Sequence, residues 1–253
     1  MIQVSKTTFL TKNKDILADK PLNNNNIYLV LQFFIHSNIN RYKEICKCLK
    51  FNVQLKYFSK IYLINERKYS QKELGLDDNE MKLVEQIIIG VRLKYNTVFV
   101  IVKKLKLEGY IVCCNSDIFF DKTLLNLRRT SLSLNAQKSI YMLLRFEYLR
   151  EKKLGYCKLF VHPQTSAPRP DSQDAWIIHT NHLPPEELLN HLDFELGWPG
   201  CDNKIAFIFS VNGYKCYNEP WKVKTYHYHM TQIRNYSTKD LIHPPWLHIE
   251  PIL

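Results

Sequence analysis

Six side chains have types and positions suited to chemistry: Asp117, Asp121, Asp174, Asp202, His227 and His229. Asp117 is the most informative. Gly109 opens a run of five apolar or soft residues, Tyr110 to Cys114, and the polarity then flips to Asn115-Ser116-Asp117. Such a run suits a strand buried on both faces. An acid at its exit stands at the carboxyl edge of an α/β sheet, where open sheets bind ligands. A carboxylate there is placed to hold a divalent metal and, through it, a phosphate.

Asp121 follows four residues later. On a continuing strand the two acids would sit about 13 Å apart, too far for one metal, so a turn after Asp117 is required if they are to meet. The plainer role for Asp121 is to cap a helix at Lys122 to Leu127. In Asp171-Ser172-Gln173-Asp174-Ala175-Trp176, polar residues precede an apolar strand. Gln173 and Asp174 are suited to hydrogen-bond hydroxyls, and Trp176 to offer an apolar face. Asp174 is otherwise a surface carboxylate at a strand start. Asp202 follows the turn Gly197-Trp198-Pro199-Gly200 at a helix start. It is expected to be an N-cap, and a carboxylate fixed there can also act as general base toward a hydroxyl. His227 and His229 form His-x-His. On a strand they share a face, and imidazole is a common metal ligand.

The elements that must position these groups follow from periodicity. Ile27 to Phe34 reads as a buried strand, and His36 to Asn40 as a loop with Asn40 the helix N-cap. Tyr42, Ile45, Cys46 and Leu49 fall on one helical face, with Lys43, Glu44, Lys47 and Lys50 on the other. A second strand at Phe58 to Ile64 makes the opening β-α-β, with a parallel pair. Asp78 to Val91 and Thr97 to Leu107 read as helices. Ser139 to Tyr148, Cys157 to His162 and Asp171 to His179 read as strands. Pro184 opens a short helix, Asp202 to Asn212 is a longer one, and Tyr214 to Tyr217 and Lys224 to His229 close the sheet. The expected fold is a single α/β domain with a mixed, mostly parallel sheet flanked by helices. It spans 27–236, between a peripheral arm (1–26) and a tail (237–253).

Composition narrows the function classes. The 253 residues are 45% hydrophobic, enough for a real core. The longest apolar run, Ile27 to Ile35, is nine residues and contains Gln32, so no membrane span is expected. Met1 to Lys6 lacks the apolar segment of a secretory signal. The seven cysteines include no Cys-x-x-Cys pair, which suits reduced thiols in the cytoplasm. The net charge of +11 includes nine basic residues between Arg41 and Lys72 against Glu44 and Glu66. This excess reads as a solvated face or a surface for an anionic nucleotide, and nucleic acid is not an expected partner. There is no Gly-x-Gly-x-x-Gly, Walker loop, His-Glu-x-x-His or Gly-x-Ser-x-Gly.

The ordered set Asn40-Arg41-Tyr42-Lys43-Glu44, Ile61 to Glu66, Asn115-Ser116-Asp117-Ile118, Ser172 to Trp176, Gly200-Cys201-Asp202-Asn203 and Thr225 to His229 resembles GT-A type glycosyltransferases. Among these it is most similar to the small GT-A-like proteins of algal and large DNA viruses, for which the host-cell cytoplasm would be the setting. The resemblance implies a Rossmann-related fold acting on a nucleotide-diphosphate sugar donor and a glycan or other hydroxyl acceptor, with Mn²⁺ or Mg²⁺ as cofactor. Asp117 would match the last acid of the Asp-x-Asp metal motif, with Asn115 where the motif has its first acid. His227 or His229 would complete the metal site. Asp202 would supply the base, with Asp174 the alternative catalytic acid. The loop around His36, Asn40 and Arg41 would lie near base and ribose, and Asn115, Ser116, Gln173 and Trp176 would line the donor site. The rival readings are a metal-dependent nuclease or phosphodiesterase using Asp117, Asp121, Asp202 and His227, and a non-catalytic nucleic-acid-binding or scaffold protein of the same fold.

Overall fold

The computed structural model describes residues 26–129, 137–148, 157–234 and 236–253. Its frame is a sheet built outward from the Tyr110 to Cys114 run. Strand β1 (Ile27–Leu31) leads through helix α1 (Ile39–Gln54) to β2 (Lys60–Asn65), and β1 pairs in parallel with β2. Short helices α2 (Gln71–Leu74) and α3 (Asp78–Met81) precede β3 (Val84–Ile88), which adds in parallel to β2. Helix α4 (Tyr95–Lys104) returns the chain to β4 (Tyr110–Cys114), parallel to β1 on its other side. Strands β6 (Ser139–Leu144) and β9 (Gln173–His179) continue the sheet, with β9 antiparallel to both β4 and β6. Helices α5 (Glu186–Leu189) and α6 (Cys201–Val211) come next, and β10 (Lys215–Tyr217) closes the sheet beside β6. The strand order is β10-β6-β9-β4-β1-β2-β3.

Side-chain alternation explains the two covering layers. Tyr110, Val112 and Cys114 of β4 join a cluster with Leu29, Leu31, Leu63 and the α1 residues Ile45, Leu49 and Val53. Ile111 and Cys113 point the other way, into a cluster with Val98, Phe99 and Val102 of α4 and Ile205, Ala206 and Phe209 of α6. Opposite faces of one strand thus feed two cores, which is why β4 reads as an unbroken apolar run. Gly109 sets its entry: φ is +137°, and a Cβ would lie 2.3 Å from the Asn26 carbonyl oxygen.

A second, four-stranded sheet packs against α1. Its order is β5-β11-β7-β8, from Ile118–Phe120, Thr225–His227, Phe146–Tyr148 and Cys157–Leu159. Buried Asn52 of α1 donates to the Ile118 carbonyl (2.9 Å) and accepts from Phe120 N–H (3.1 Å), which satisfies backbone groups of β5.

Several sequence expectations are corrected. Asp78 to Val91 is a one-turn helix followed by a strand. The helical spacing of Val84, Ile87 and Ile88 belongs to a β-branched run that pairs with the open edge of β2, and the ladder outweighs the pattern. Asn38, rather than Asn40, caps α1 by accepting from the Asn40 and Arg41 amides (3.0 and 3.1 Å). Gly200, not Asp202, is the N-cap of α6, and Asp202 lies in its first turn. Lys224 to His229 supplies β11 of the second sheet rather than an edge of the main one. Glu44, expected on the solvated face of α1, is buried. Residues 237–253 lie along the domain: Ile242 N–H donates to the Pro199 carbonyl (2.8 Å), Leu247 N–H to that of Asn203 (3.0 Å) and Ile249 N–H to that of Pro170 (3.0 Å).

Candidate metal and substrate site

The carboxyl ends of β1, β2, β4 and β6 and the start of β9 open on one cleft of about 660 Å³. Asp117 lies at its floor because the chain turns sharply where β4 ends. Ile118 N–H donates to the Asn115 carbonyl (3.2 Å), and Tyr228 N–H to the Asp117 carbonyl (2.9 Å). The second contact brings β11 alongside, so both histidines of His-x-His meet the same acid. His227 Nε2 lies 3.1 Å and His229 Nδ1 3.8 Å from Asp117 Oδ2. Asp117, His227 and His229 are all buried, and one ligand atom from each falls within 4.8 Å of the other two.

The outward nitrogens of both rings are occupied. His227 Nδ1 is 3.0 Å from Glu147 Oε2, and His229 Nε2 is 2.9 Å from the Ile233 carbonyl. With a metal bound, an outer acceptor that takes the ring N–H would leave the lone pair of the inner nitrogen for the ion, the arrangement usual for metal-bound histidine. The donor set of one carboxylate and two imidazoles therefore fits a divalent transition ion.

A second cation also reaches this carboxylate. Arg41 Nη2 is ion-paired with Asp117 Oδ2, while Nη1 bonds Glu44 (2.9 Å). Glu44 is fixed in turn by Thr231 N–H (2.8 Å) and hydroxyl (3.0 Å). Burial alone would raise the Asp117 carboxyl, but His227 and Arg41 outweigh it and hold the group well below the usual carboxylate range. Burial likewise opposes charge on His227, yet Asp117 and Glu147 raise it to about 9. Burial and the nearby Arg41 push His229 down to about 4.

Across the cleft, Asp174 accepts from Asn115 Nδ2 (2.8 Å) and Arg145 Nη1 (2.6 Å). Asp202 accepts from the backbone amides of Gln173 (3.2 Å) and Asn203 (3.0 Å). No cation pairs with Asp202 among the described residues. Burial, reinforced by the charge of Asp174, raises it to about 7.

The other sequence candidates fall unevenly. Ser116 and His36 line the cleft, and His36 Nδ1 accepts from Asn38 N–H (2.9 Å). Arg41 is inside but committed to Asp117 and Glu44. The side chain of Asn40 is exposed over a separate shallow hollow with Lys43, Lys47 and Tyr228. Trp176, expected to face the ligand, is 2% exposed and packs edge-on against Tyr95 in the core beneath the sheet. Strand parity sends it there, since Trp176 pairs with Cys113 on the α4–α6 face. Asp121 stands apart, accepting from Thr123 N–H (2.9 Å) and Tyr226 hydroxyl (2.9 Å) at the start of a 3-10 turn, the capping role expected of it. The carboxylate pair that a nuclease would need is therefore not assembled around Asp117 and Asp121. The sequence reading missed Glu147, Arg145, Arg92 and Asn203. The change from apolar Leu144 to Arg145-Phe146-Glu147 is the same signal as that after Cys114 and could have found the first two.

No family model matches the chain, and no curated protein does. Solved structures do. GalNAc-T7 with UDP, GalNAc and Mn²⁺ aligns with a TM-score of 0.51 at 14% identity, covering 82% of this chain and 44% of that one. The mannosyltransferase PcManGT from Pyrobaculum calidifontis, in complex with GDP-Man and Mn²⁺, aligns at 0.49 and 10% identity over 87% of this chain and 62% of that one. A 4-diphosphocytidyl-2C-methyl-D-erythritol synthase from Anaerococcus prevotii aligns at 0.42 and 10% identity over 83% and 93%. The chain thus spans less than half the length of GalNAc-T7 and shares its mixed α/β fold. No described helix is long and apolar enough to cross a membrane.

Proposed function

We propose that this protein is a glycosyltransferase that moves a sugar from a nucleotide-diphosphate sugar to an acceptor hydroxyl with the help of Mn²⁺ or Mg²⁺. The observation that carries the reading is the convergence of Asp117, His227 and His229 at the end of β4, in a cleft that also holds Asp202 and Asp174. The fold shared with GalNAc-T7, whose similar structure holds UDP, GalNAc and Mn²⁺, supports it. The viral GT-A-like resemblance rests on the sequence motifs alone.

Asp117, His227 and His229 would hold the metal, with Glu147 and the Ile233 carbonyl orienting the rings. A divalent ion there would offset charge on the diphosphate leaving group. Arg92 is anchored to the Leu196 carbonyl through Nε and Nη2 and adds positive charge to the cleft. Asp202, raised to about 7 and hydrogen-bonded only to backbone amides, is poised to take the acceptor's proton near neutral pH. Asp174 is less suited, because Arg145 and Asn115 already occupy its oxygens.

The test is a thermal-shift panel of UDP, GDP, TDP and CMP sugars with and without Mn²⁺. A ligand at ~100 times its dissociation constant adds roughly 2.7 kcal/mol of stability. The reading predicts at least one Mn²⁺-dependent shift, and a panel with none would reject it.

A further inference from the structure

Arg145 stands where the chain passes from one sheet to the other. It follows β6 of the main sheet and precedes β7 of the second, just past a register shift at Leu143 and Leu144. Such an irregularity bends a strand and re-aims its side chains. The guanidinium then reaches a carboxylate in each sheet. Nε donates to Glu147 Oε1 in β7 (2.6 Å), and Nη1 to Asp174 Oδ2 in β9 (2.6 Å) and to the Ser172 hydroxyl (2.7 Å). The Phe160 ring covers it, with its centroid 4.0 Å from Arg145 Cζ. The Arg145 side chain is only 8% exposed, so these contacts are shielded from water.

Glu147 carries this hold on to the candidate metal site. Its other oxygen, Oε2, is 3.0 Å from His227 Nδ1, and the two residues are register partners across β7 and β11. Asp117 belongs to the turn that ends β4 in the main sheet, whereas His227 belongs to the second sheet. Two candidate ligands of one ion therefore come from different sheets. The backbone bond from Tyr228 to Asp117 brings the strands together, but it leaves the angle of the His227 ring to that ring's outer partner. The line Asp174, Arg145, Glu147, His227 sets that angle from the main sheet. His229 lies outside this line, its ring held by the Ile233 carbonyl. Charge balance alone would require only a cation near two acids. A point charge on a flexible stem cannot hold two carboxylates at fixed angles, whereas a planar fork with donors on separate nitrogens can.

We propose that Arg145 is a positioning residue: it braces Glu147 against Asp174 across the two sheets and so aims the His227 ring at the metal position. The inference rests on the metal assignment of the transfer reading and deepens it, because an acid on the far wall of the cleft thereby helps to set a metal ligand.

Mn²⁺ affinity would be measured by electron paramagnetic resonance titration of the full chain and of Arg145→Met, Arg145→Lys and Phe160→Leu. Metal-free samples labelled with ¹⁵N-histidine would report the ring N–H signals of His227 and His229, assigned through single alanine variants. Bracing predicts that Arg145→Met and Arg145→Lys both weaken Mn²⁺ binding by about three- to tenfold, less than the roughly 10–100-fold typical when a direct outer partner is lost. Both should lose or broaden the His227 Nδ1–H signal and retain the His229 Nε2–H signal. A role in charge balance predicts otherwise: Arg145→Met, with a cation removed, would bind Mn²⁺ more tightly, and Arg145→Lys would match the parent. General loosening of the site would remove both histidine signals together. Either of these patterns, or a His227 signal that does not change, would overturn the inference. If the Arg145 variants fail to fold, Phe160→Leu decides. It keeps every ion pair, yet uncovering the guanidinium should broaden the His227 signal and spare that of His229. A parent protein that binds no Mn²⁺ counts instead against the transfer reading, and the metal-free histidine signals then decide the role of Arg145.

Discussion

Arg41 is ion-paired with the same Asp117 oxygen that lies 3.1 Å from His227 Nε2. A guanidinium therefore shares a carboxylate with two imidazoles whose inner nitrogens face it, and a metal at this position must compete with Arg41 for Oδ2. Removing one partner of a buried ion pair costs about 3–5 kcal/mol, because the other charge is left uncompensated. Arg41→Met should thus lower the thermal midpoint of metal-free protein. It should also tighten Mn²⁺ binding, measured by electron paramagnetic resonance titration, and Mn²⁺ should restore much of the lost stability. Weaker Mn²⁺ binding by the variant would show that Arg41 organises the site rather than competing for it.

Asp117→Asn removes the charge that the ligand set shares while keeping its size. It should abolish Mn²⁺-dependent nucleotide-sugar binding. Far-UV circular dichroism should be unchanged, since the backbone bonds of Asn115 and Tyr228 that shape the turn remain. Metal-dependent binding that survives the substitution would remove Asp117 from the site.

The two histidines should prove unequal. His227 is backed by the Glu147 carboxylate and sits at 3.1 Å from Asp117, while His229 is backed by a neutral carbonyl and sits at 3.8 Å. A carboxylate behind the ring raises ligand basicity, and loss of such an outer partner typically costs 10–100-fold in metal affinity. His227→Ala should therefore weaken Mn²⁺ more than His229→Ala, with Glu147→Gln intermediate. Normal metal binding by the double histidine variant would reject both assignments.

How much of this was visible in the sequence depended on how local the signal is. Tyr110 to Cys114 was legible as a strand buried on two faces because each of its residues has a core to enter, and Asp117 followed from its exit. His227 and His229 were legible as a pair through strand parity. Which acid they face was not, because the contact depends on Tyr228 bonding the Asp117 carbonyl across a sequence separation of more than a hundred residues. Val84 to Ile88 was misread because helical spacing and a β-branched run overlap there, and only the open edge of β2 decides. Trp176 was misplaced because a strand start looks polar along its length, while parity sends alternate residues to opposite cores. The ion pair of Arg41 with Asp117 left no local trace, since amphipathic patterning assigns charged residues of a helix to solvent.

Gly109 tests the fold independently of the site. With φ at +137° and the Asn26 carbonyl oxygen 2.3 Å from any added Cβ, neither the backbone nor the space tolerates a side chain. Gly109→Ala should destabilise by more than the ~1 kcal/mol at stake where alanine fits, measured by urea unfolding. A change below that would mean the turn relaxes without disturbing β4.

Asp202 gives the sharpest pH prediction. Burial and Asp174 raise its carboxyl from the ordinary range to about 7, so below that pH the folded protein holds it neutral and above it ionised. Its contribution to stability is therefore fully present below pH ~4, where folded and unfolded forms are both protonated. That contribution is lost as pH rises through about 7, because ionising the group inside the fold costs more than ionising it in the unfolded chain. Catalysis has the opposite slope, because a base must be ionised to accept a proton. The kcat/KM profile of the free enzyme should rise tenfold per pH unit up to a bend near 7 and then level off. Asp202→Asn keeps the size of the side chain but cannot take the proton. It should leave Mn²⁺ and nucleotide-sugar binding intact, lower transfer by roughly 10²–10⁴-fold and remove the acid limb. If the variant retains both near-normal transfer and the bend, the titrating group is elsewhere and Asp174 becomes the base to test. If transfer stays high and the profile is flat, the reaction uses no protein base.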